Sequence, residues 1–331
     1  MLAGVRGLYR LPFIRVLKFI CAAGILGCLI RVLLLNDSLQ QGCEVYGSDD
    51  TQFFNSDEHN LAVLVPLRDR FEELQELVIH LSKFLREQKV KHHIFVINQV
   101  DKFRFNRASL LNVGFMEAGR TYDYIALHDI DLLPTNQELS YRYPSSGPMH
   151  VAAPNLHPRY HYPTFIGGVL LLTREHFLLV NGLSNVYWGW GLEDDELYAR
   201  LKDAQLQIQR PGNLSTGTAS FRHIHDRHVR HRDEVRCYDQ HLLTRRRDRR
   251  TGLNTLNYYV MSRRKLSIEG FRLTVLNVAL QCDEKETPWC DCQRSMNNSN
   301  MEESKKILAA IPPNELIAPK IDRKKHISRD A

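Results

Sequence analysis

The apolar run Leu61-Ala62-Val63-Leu64-Val65 ends at Pro66, and a stretch so short and so uniformly apolar predicts a strand buried on both faces. From Phe71 to Gln88 the apolar positions are Phe71, Leu74, Leu77, Val78, Leu81, Phe84 and Leu85, the period of a helix with one buried side. His93 to Asn98 predicts a second strand, Ser109 to Ala118 a second helix, and Tyr124 to His128 a third strand running into Asp129-Ile130-Asp131. This alternation implies an α/β fold, a mostly parallel sheet with helices over both faces. Ligands of such sheets sit beyond the carboxyl ends of the strands, where the polar clusters of this chain also fall. Val169 to Thr173, Thr255 to Met261 and Leu273 to Leu280 read as further strands.

Ahead of this pattern, an apolar run from Phe19 to Leu35 is broken only by Arg31 and preceded by Arg6, Arg10, Arg15 and Lys18. Seventeen helical residues reach roughly 26 Å, enough for a thin bilayer, and the preceding basic residues hold that side in the cytosol. A cleaved signal peptide is the rival, but no small-x-small site follows the run. The expected organisation is a cytoplasmic tail over 1–18, a transmembrane signal anchor over 19–35, a polar luminal stem over 36–58, a folded domain over 59–293 and a flexible lysine-rich tail over 294–331.

A hydrophobic content of 43% allows a sizeable core, and the net charge of +6 is concentrated between His223 and Arg250. Tyr238 is the one Phe, Tyr or Trp in that basic stretch and gives no aromatic interleaving, so nucleic acid is not the expected partner, whereas an anionic ligand such as a diphosphate is compatible. Cys43, Cys237, Cys282, Cys290 and Cys292 fall on the luminal side, where disulfides are expected, although spacing alone leaves the pairing open. Asn36, Asn213 and Asn297 head glycosylation sequons, usable only in a luminal chain.

The chemistry concentrates in a few places. Trp188-Gly189-Trp190-Gly191 offers two flat rings on a bendable chain, suited to stacking sugars, and Glu193, Asp194, Asp195 and Glu196 follow at a helix start. The helix macrodipole alone favours acids there, but a carboxylate beside a sugar platform can also take a proton from a hydroxyl. Asp129 and Asp131 leave the chain on one side and could hold a hard cation, and His223 and His225 repeat that spacing. Nitrogen ligands combined with a carboxylate suit manganese better than magnesium. Pro66-Leu67-Arg68-Asp69-Arg70 places two guanidinium groups after the first strand, for phosphate or base edges. Phe105-Asn106-Arg107 opens the second helix, where a ring could stack a pyrimidine, and Gly167-Gly168 lets a ligand approach backbone.

The strings LVPLRDRFEEL, FNRASLLNVGF, IALHDIDLLP, FIGGVLLL, WGWGLEDDE and FRHIHD, in this order, resemble the β-1,4-galactosyltransferases over roughly Leu61 to Cys290. His223-Ile224-His225 stands where most members carry a methionine and a more distant histidine, and with Tyr160-His161-Tyr162 it is similar to the members that galactosylate xylose. The resemblance implies a type II Golgi membrane protein with a GT-A-type, Rossmann-like mixed sheet flanked by helices. It implies UDP-galactose as donor, Mn2+ as cofactor and a xylosylated proteoglycan core protein as acceptor, with N-acetylglucosamine as the alternative acceptor.

By motif, the resemblance implies Asp131, His223 and His225 as metal ligands, with Asp129 behind them. Pro66, Leu67, Arg68, Asp69, Arg70, Phe105, Asn106, Arg107, Ile130, Asp131, Gly168, Trp190 and Arg232 would bind the donor. Asp194 would be the general base, Glu193 and Asp195 would orient hydroxyls, and Tyr160, Trp190, Leu192, Glu193 and Asp194 would meet the acceptor. Phe165 stands where the related enzymes have tyrosine. The Trp190 loop and the long loop from Asp226 to Arg250 would close over the donor. Cys282 would pair with Cys290, and Cys237 with Cys292.

Overall fold

The computed structural model describes residues 59–212, 214, 217–226 and 229–293. The expected anchor, stem and tail, together with the sequons at Asn36, Asn213 and Asn297, lie outside these residues. Among the described residues no helix is long and apolar enough to cross a membrane.

The first half alternates as the apolar pattern implies: β1 (Leu61–Leu67), α1 (Phe71–Glu87), β2 (His92–Gln99), α2 (Arg107–Ala118) and β3 (Tyr124–His128). Short strands β4 (Leu132–Pro134) and β5 (Met149–His150) lead to β6 (Val169–Thr173) and helix α3 (Arg174–Leu179). Helix α4 (Glu193–Asp203), strand β7 (Phe221–His223) and helix α5 (Gln240–Leu243) precede a final pair, β8 (Tyr258–Ile268) and β9 (Phe271–Leu280).

Seven strands form one sheet in the order β5-β6-β3-β1-β2-β9-β8. The four central strands β3, β1, β2 and β9 run parallel, β6 and β8 run against them, and β5, paired antiparallel with β6, points the same way as the central four. The sheet is therefore mixed, as the family resemblance implies, and less parallel than the strand-helix alternation alone suggests. The final strands also differ in extent from the Thr255 to Met261 reading. β8 is an edge strand with both faces largely exposed, so its Ser262-Arg263-Arg264-Lys265 segment carries no apolar signature. The two-residue turn into β9, Glu269-Gly270, has φ of 49° and 82°, the paired positive values that join twisted antiparallel strands.

Alternate residues of β1 feed opposite faces of the sheet: Leu61, Val63 and Val65 pack with Leu74, Leu77, Val78 and Leu81 of α1, whereas Ala62 and Leu64 pack with Leu110, Leu111 and Phe115 of α2. Each fully buried leucine of this kind contributes about 2 kcal/mol of transfer free energy. Two core layers thus hold the parallel strands rigid, and their carboxyl ends present Arg68, Phe105 and Asp129 on one rim. A separate ribbon pairs β4 with β7, matching Leu132 to His223, and Ile224 N–H donates to Asp131 O across 2.9 Å. That ribbon carries a segment almost a hundred residues later in the chain to the end of β3. Disulfides join Cys237 to Cys292 and Cys282 to Cys290, the pairs implied by resemblance.

Candidate active site

A cleft of about 450 Å³ opens along that rim. Of the donor-side candidates, Pro66, Arg68, Asp69, Arg70, Phe105, Arg107, Ile130, Asp131, Gly168, Trp190 and Arg232 line it. The acceptor candidates Tyr160, Leu192, Glu193 and Asp194 line it too, as do His223 and His225. Leu67, Asn106 and Asp195 do not line it. Leu67 ends the buried strand β1, and Asp195 is turned into the interior. Asn106 is fully buried as the cap of α2: its side chain accepts Ser109 N–H and donates to Asn185 O, and its backbone N–H donates to Gln99 Oε1.

The carboxylate-imidazole group follows directly from the β4–β7 pairing. His225 Nδ1 stands 3.3 Å from Asp131 Oδ2, and His223 Nε2 stands 3.9 Å from Asp131 Oδ1. His225 is buried, and neither of its ring nitrogens makes a hydrogen bond of good geometry. An orphaned imidazole inside a protein is costly, so this one is suited to a ligand that would use its lone pair. Burial, more than the opposing pull of Asp131, lowers the pKa of His223 to about 4, which leaves the ring neutral and able to donate to a metal. Burial by itself would raise Asp131, but His225, His223 and Arg70 together hold its carboxyl well below the usual range. Arg70 Nη1 donates to Asp131 Oδ2 across 2.9 Å. Among the described residues no three such ligands stand ready-made around one point, since Asp131 is engaged with Arg70. The donor set and the orphaned His225 nitrogens nonetheless fit a borderline divalent ion once that contact is exchanged.

Asp129 is not part of this group. It pairs with Arg107 across 2.7 Å, and the same guanidinium reaches Glu193 at 3.7 Å. Arg107 thereby ties the end of β3 to the start of α4. Arg68 is spent locally, donating to the carbonyls of Phe103 at 2.7 Å and Asp101 at 3.1 Å.

Helix α4 begins at Leu192, whose backbone is left-handed at φ 80° with no side-chain cap. A branched residue there is strained, and such strain gathers at functional sites. The first turn then points Glu193 and Asp194 into the cleft. Asp194 Oδ1 accepts the N–H of Asp195 at 3.0 Å. Its Oδ2 lies 3.1 Å from where a Cβ on Gly167 would stand, so the missing side chain leaves the carboxylate its place. Burial first, and then the neighbouring Asp194, push Glu193 upward, while Arg107 pulls it back.

Only one of the two tryptophans expected as a sugar platform faces the cleft. Trp188 is in the core, edge-on to Phe103, whereas Trp190 is 36% exposed. The difference follows from the backbone: Trp188 O accepts Gln240 Nε2 and faces the interior, while Trp190 N–H donates to Asp233 O at the rim. The Arg232 guanidinium lies 4.6 Å above the Trp190 ring and 5.7 Å above Tyr160.

Sequence reasoning missed His157 and Arg104. His157 lines the cleft, and its Nδ1 takes the N–H groups of Arg159 and Tyr160. As one histidine among 15 with no spaced partner, it left no signal.

The sheet order and the cleft at its carboxyl edge define a GT-A-like α/β protein. Residues 49–144 match the family described as the N-terminal region of glycosyl transferase group 7, and residues 147–228 match the N-terminal domain of galactosyltransferase. The chain is 57% identical to β-1,4-galactosyltransferase 7 of Drosophila melanogaster, covering 71% of this chain and 73% of that protein. It is 49% identical to the xylosylprotein 4-β-galactosyltransferase of Caenorhabditis elegans, covering 70% and 82%. A crystal structure of a mutant Drosophila β-1,4-galactosyltransferase 7 in complex with manganese, UDP-Gal and xylobiose aligns with a TM-score of 0.70 at 56% identity, over 71% of this chain and 99% of that one. The chain belongs to the β-1,4-galactosyltransferase family.

Proposed function

We propose that the protein transfers galactose from UDP-galactose to O4 of a xylose borne on a proteoglycan core protein, with inversion at the anomeric centre and with Mn2+ as cofactor. The observation that carries the reading is that Asp194, Trp190 and the Asp131–His223–His225 group border one cleft of nucleotide-sugar size. The Drosophila relative crystallised with manganese, UDP-Gal and xylobiose supports the same substrates.

Asp131, His223 and His225 would hold the ion, which when bound offsets the charge that grows on the departing diphosphate. Phe105 and the Arg68-to-Arg70 turn form the wall on which the uridine and phosphates would rest. Trp190 stacks the sugars and sets the acceptor hydroxyl toward Asp194. Asp194 takes the proton from that hydroxyl as its oxygen bonds to the anomeric carbon from the face opposite UDP. Glu193, held by Arg107, orients neighbouring hydroxyls, and the 226–250 loop excludes water that would otherwise hydrolyse the donor. The apolar run from Phe19 to Leu35 supports a Golgi type II anchor with the cleft in the lumen.

The deciding experiment is UDP release with manganese and UDP-galactose, comparing a β-xyloside with an N-acetylglucosaminide. Release with the xyloside alone is the expected result. Release with the glucosaminide alone would replace the acceptor, and no acceptor-dependent release would remove the transferase reading.

A further inference from the structure

Arg104 belongs to none of the motifs above, yet its guanidinium, only 10% exposed, reaches partners 129 to 188 residues further along the chain. Nε meets Asp233 Oδ2 at 2.7 Å and Nη2 meets Oδ1 at 2.9 Å, a fork across both carboxylate oxygens. Nη2 also donates to Val235 O at 2.9 Å, and Nη1 donates to Gln240 Oε1 at 2.6 Å and Trp289 O at 3.1 Å.

These partners hold the Trp190 loop on both flanks. Asp233 O accepts Trp190 N–H at 2.9 Å, Gln240 Nε2 donates to Trp188 O at 2.6 Å, and Gly189 N–H donates to Phe105 O at 2.8 Å. Between them Gly189 sits at φ 81°, and a Cβ there would fall 2.0 Å from Arg104 Nη2. Glycine is therefore required twice over, by the backbone and by the guanidinium lying against it. On the far side, the strap that contains Asp233 is pinned by Arg230 to Glu72 and Glu73 of α1, so Arg232 is suspended between two ion-pair anchors.

A strut needed only for stability would be better made of apolar side chains, because burying an ion pair costs desolvation that its attraction barely offsets. The fork instead provides fixed direction, and its carboxylate partner Asp233 and the adjoining Gly189 both line the cleft. We infer that Arg104 is a positioning residue for the acceptor side: it sets Trp190 and Arg232 as one unit against the start of the donor helix α2. Lysine cannot substitute, since one ammonium cannot make the planar fork and also reach Val235, Gln240 and Trp289. This inference deepens the proposed function and rests on it for its kinetic reading.

The test uses the full chain with Arg104→Lys and, in case that variant folds poorly, Asp233→Asn. Losing the fork should raise the acceptor KM about tenfold and the UDP-galactose KM by a smaller factor, because Trp190 and Arg232 border the donor as well. Amide hydrogen exchange should quicken together in residues 189–191 and 229–235, with the β1 and β3 amides still protected. The inference is overturned if both KM values rise alike, if only one of the two segments loosens, if protection falls throughout, or if neither variant changes anything. Exchange does not depend on turnover, so a wild-type protein inactive on xylosides would sink the proposed function alone and leave the coupling of the two segments to be judged by exchange.

Discussion

Arg70 donates to Asp131 across 2.9 Å, on the same carboxylate oxygen that stands 3.3 Å from His225. A divalent ion taken up by Asp131 and the two imidazoles would compete with that guanidinium, and Arg70 would then be released toward the phosphates. Arg70→Gln should therefore lower the half-saturating manganese concentration severalfold and raise the KM for UDP-galactose about tenfold, the effect of one charge-assisted hydrogen bond. Manganese titration at saturating donor checks this. A higher manganese requirement would mean that Arg70 supports the carboxylate and does not compete for it.

Burial shifts seven histidines of the described residues downward, His92 and His176 less than the other five, and these rings set the pH response of the metal-free fold. His93, His128 and His223 are lowered to about 4, His150 to about 3, and His157 well below its ordinary value. In the unfolded chain these rings titrate near 6.5. Folded pKa values below unfolded ones mean stability that is present above pH 6.5 and lost as pH falls toward 4. Glu196 works in the opposite direction: burial, against Arg200 and Arg247, pushes it up to about 7, so its contribution falls as pH rises from about 4.5 to 7. Glu193 is shifted in the same upward sense. The histidines outweigh two carboxylates, so the melting midpoint should drop between pH 6.5 and 5, at on the order of 1 kcal/mol per pH unit for each net proton. Thermal melts in chelator across that range would show it, and a midpoint that rises on acidification would contradict the buried neutral assignment.

The parallel half of the fold was legible because its strands are buried on both faces and write themselves as apolar runs, as Leu61 to Val65 does. Edge strand β8 was cut short because Arg263, Arg264 and Lys265 face water and carry no such period. Among the candidate site residues, spacing marked the pairs Asp129–Asp131 and His223–His225, the family resemblance singled out Asp131 with the two histidines, and what assembles them is the β4–β7 ribbon, a long-range pairing that no local pattern encodes. Trp188 and Trp190 look alike in sequence and separate only when Gln240 turns one carbonyl inward. Arg104 was invisible for the same reason, since its side-chain partners lie 129 to 188 residues away.

Trp190 is the only tryptophan with substantial exposure, as Trp188 and Trp289 are buried. Changes in intrinsic fluorescence on adding donor or acceptor should therefore arise from Trp190 alone, and Trp190→Phe should abolish them. Trp190→Ala should raise the acceptor KM about tenfold, the magnitude expected for a lost stacking contact. An acceptor KM unaffected by alanine would remove Trp190 from the platform role.

Asp194 offers the sharpest test of mechanism, because its observed hydrogen bond and its proposed role as base can be separated by a single atom. One carboxylate oxygen accepts the Asp195 N–H at 3.0 Å, and asparagine keeps an oxygen for that bond. The start of α4 should therefore stay intact in Asp194→Asn, with the melting midpoint near that of the parent and the Trp190 fluorescence response to UDP-galactose preserved. What asparagine cannot do is accept a proton from the attacking hydroxyl at neutral pH. Turnover should fall by ~10² or more while the donor KM holds, as expected when a general base is removed and binding is spared. If turnover stayed within a few fold of the parent, Glu193 would become the base in its place, and Glu193→Gln should then show the larger loss.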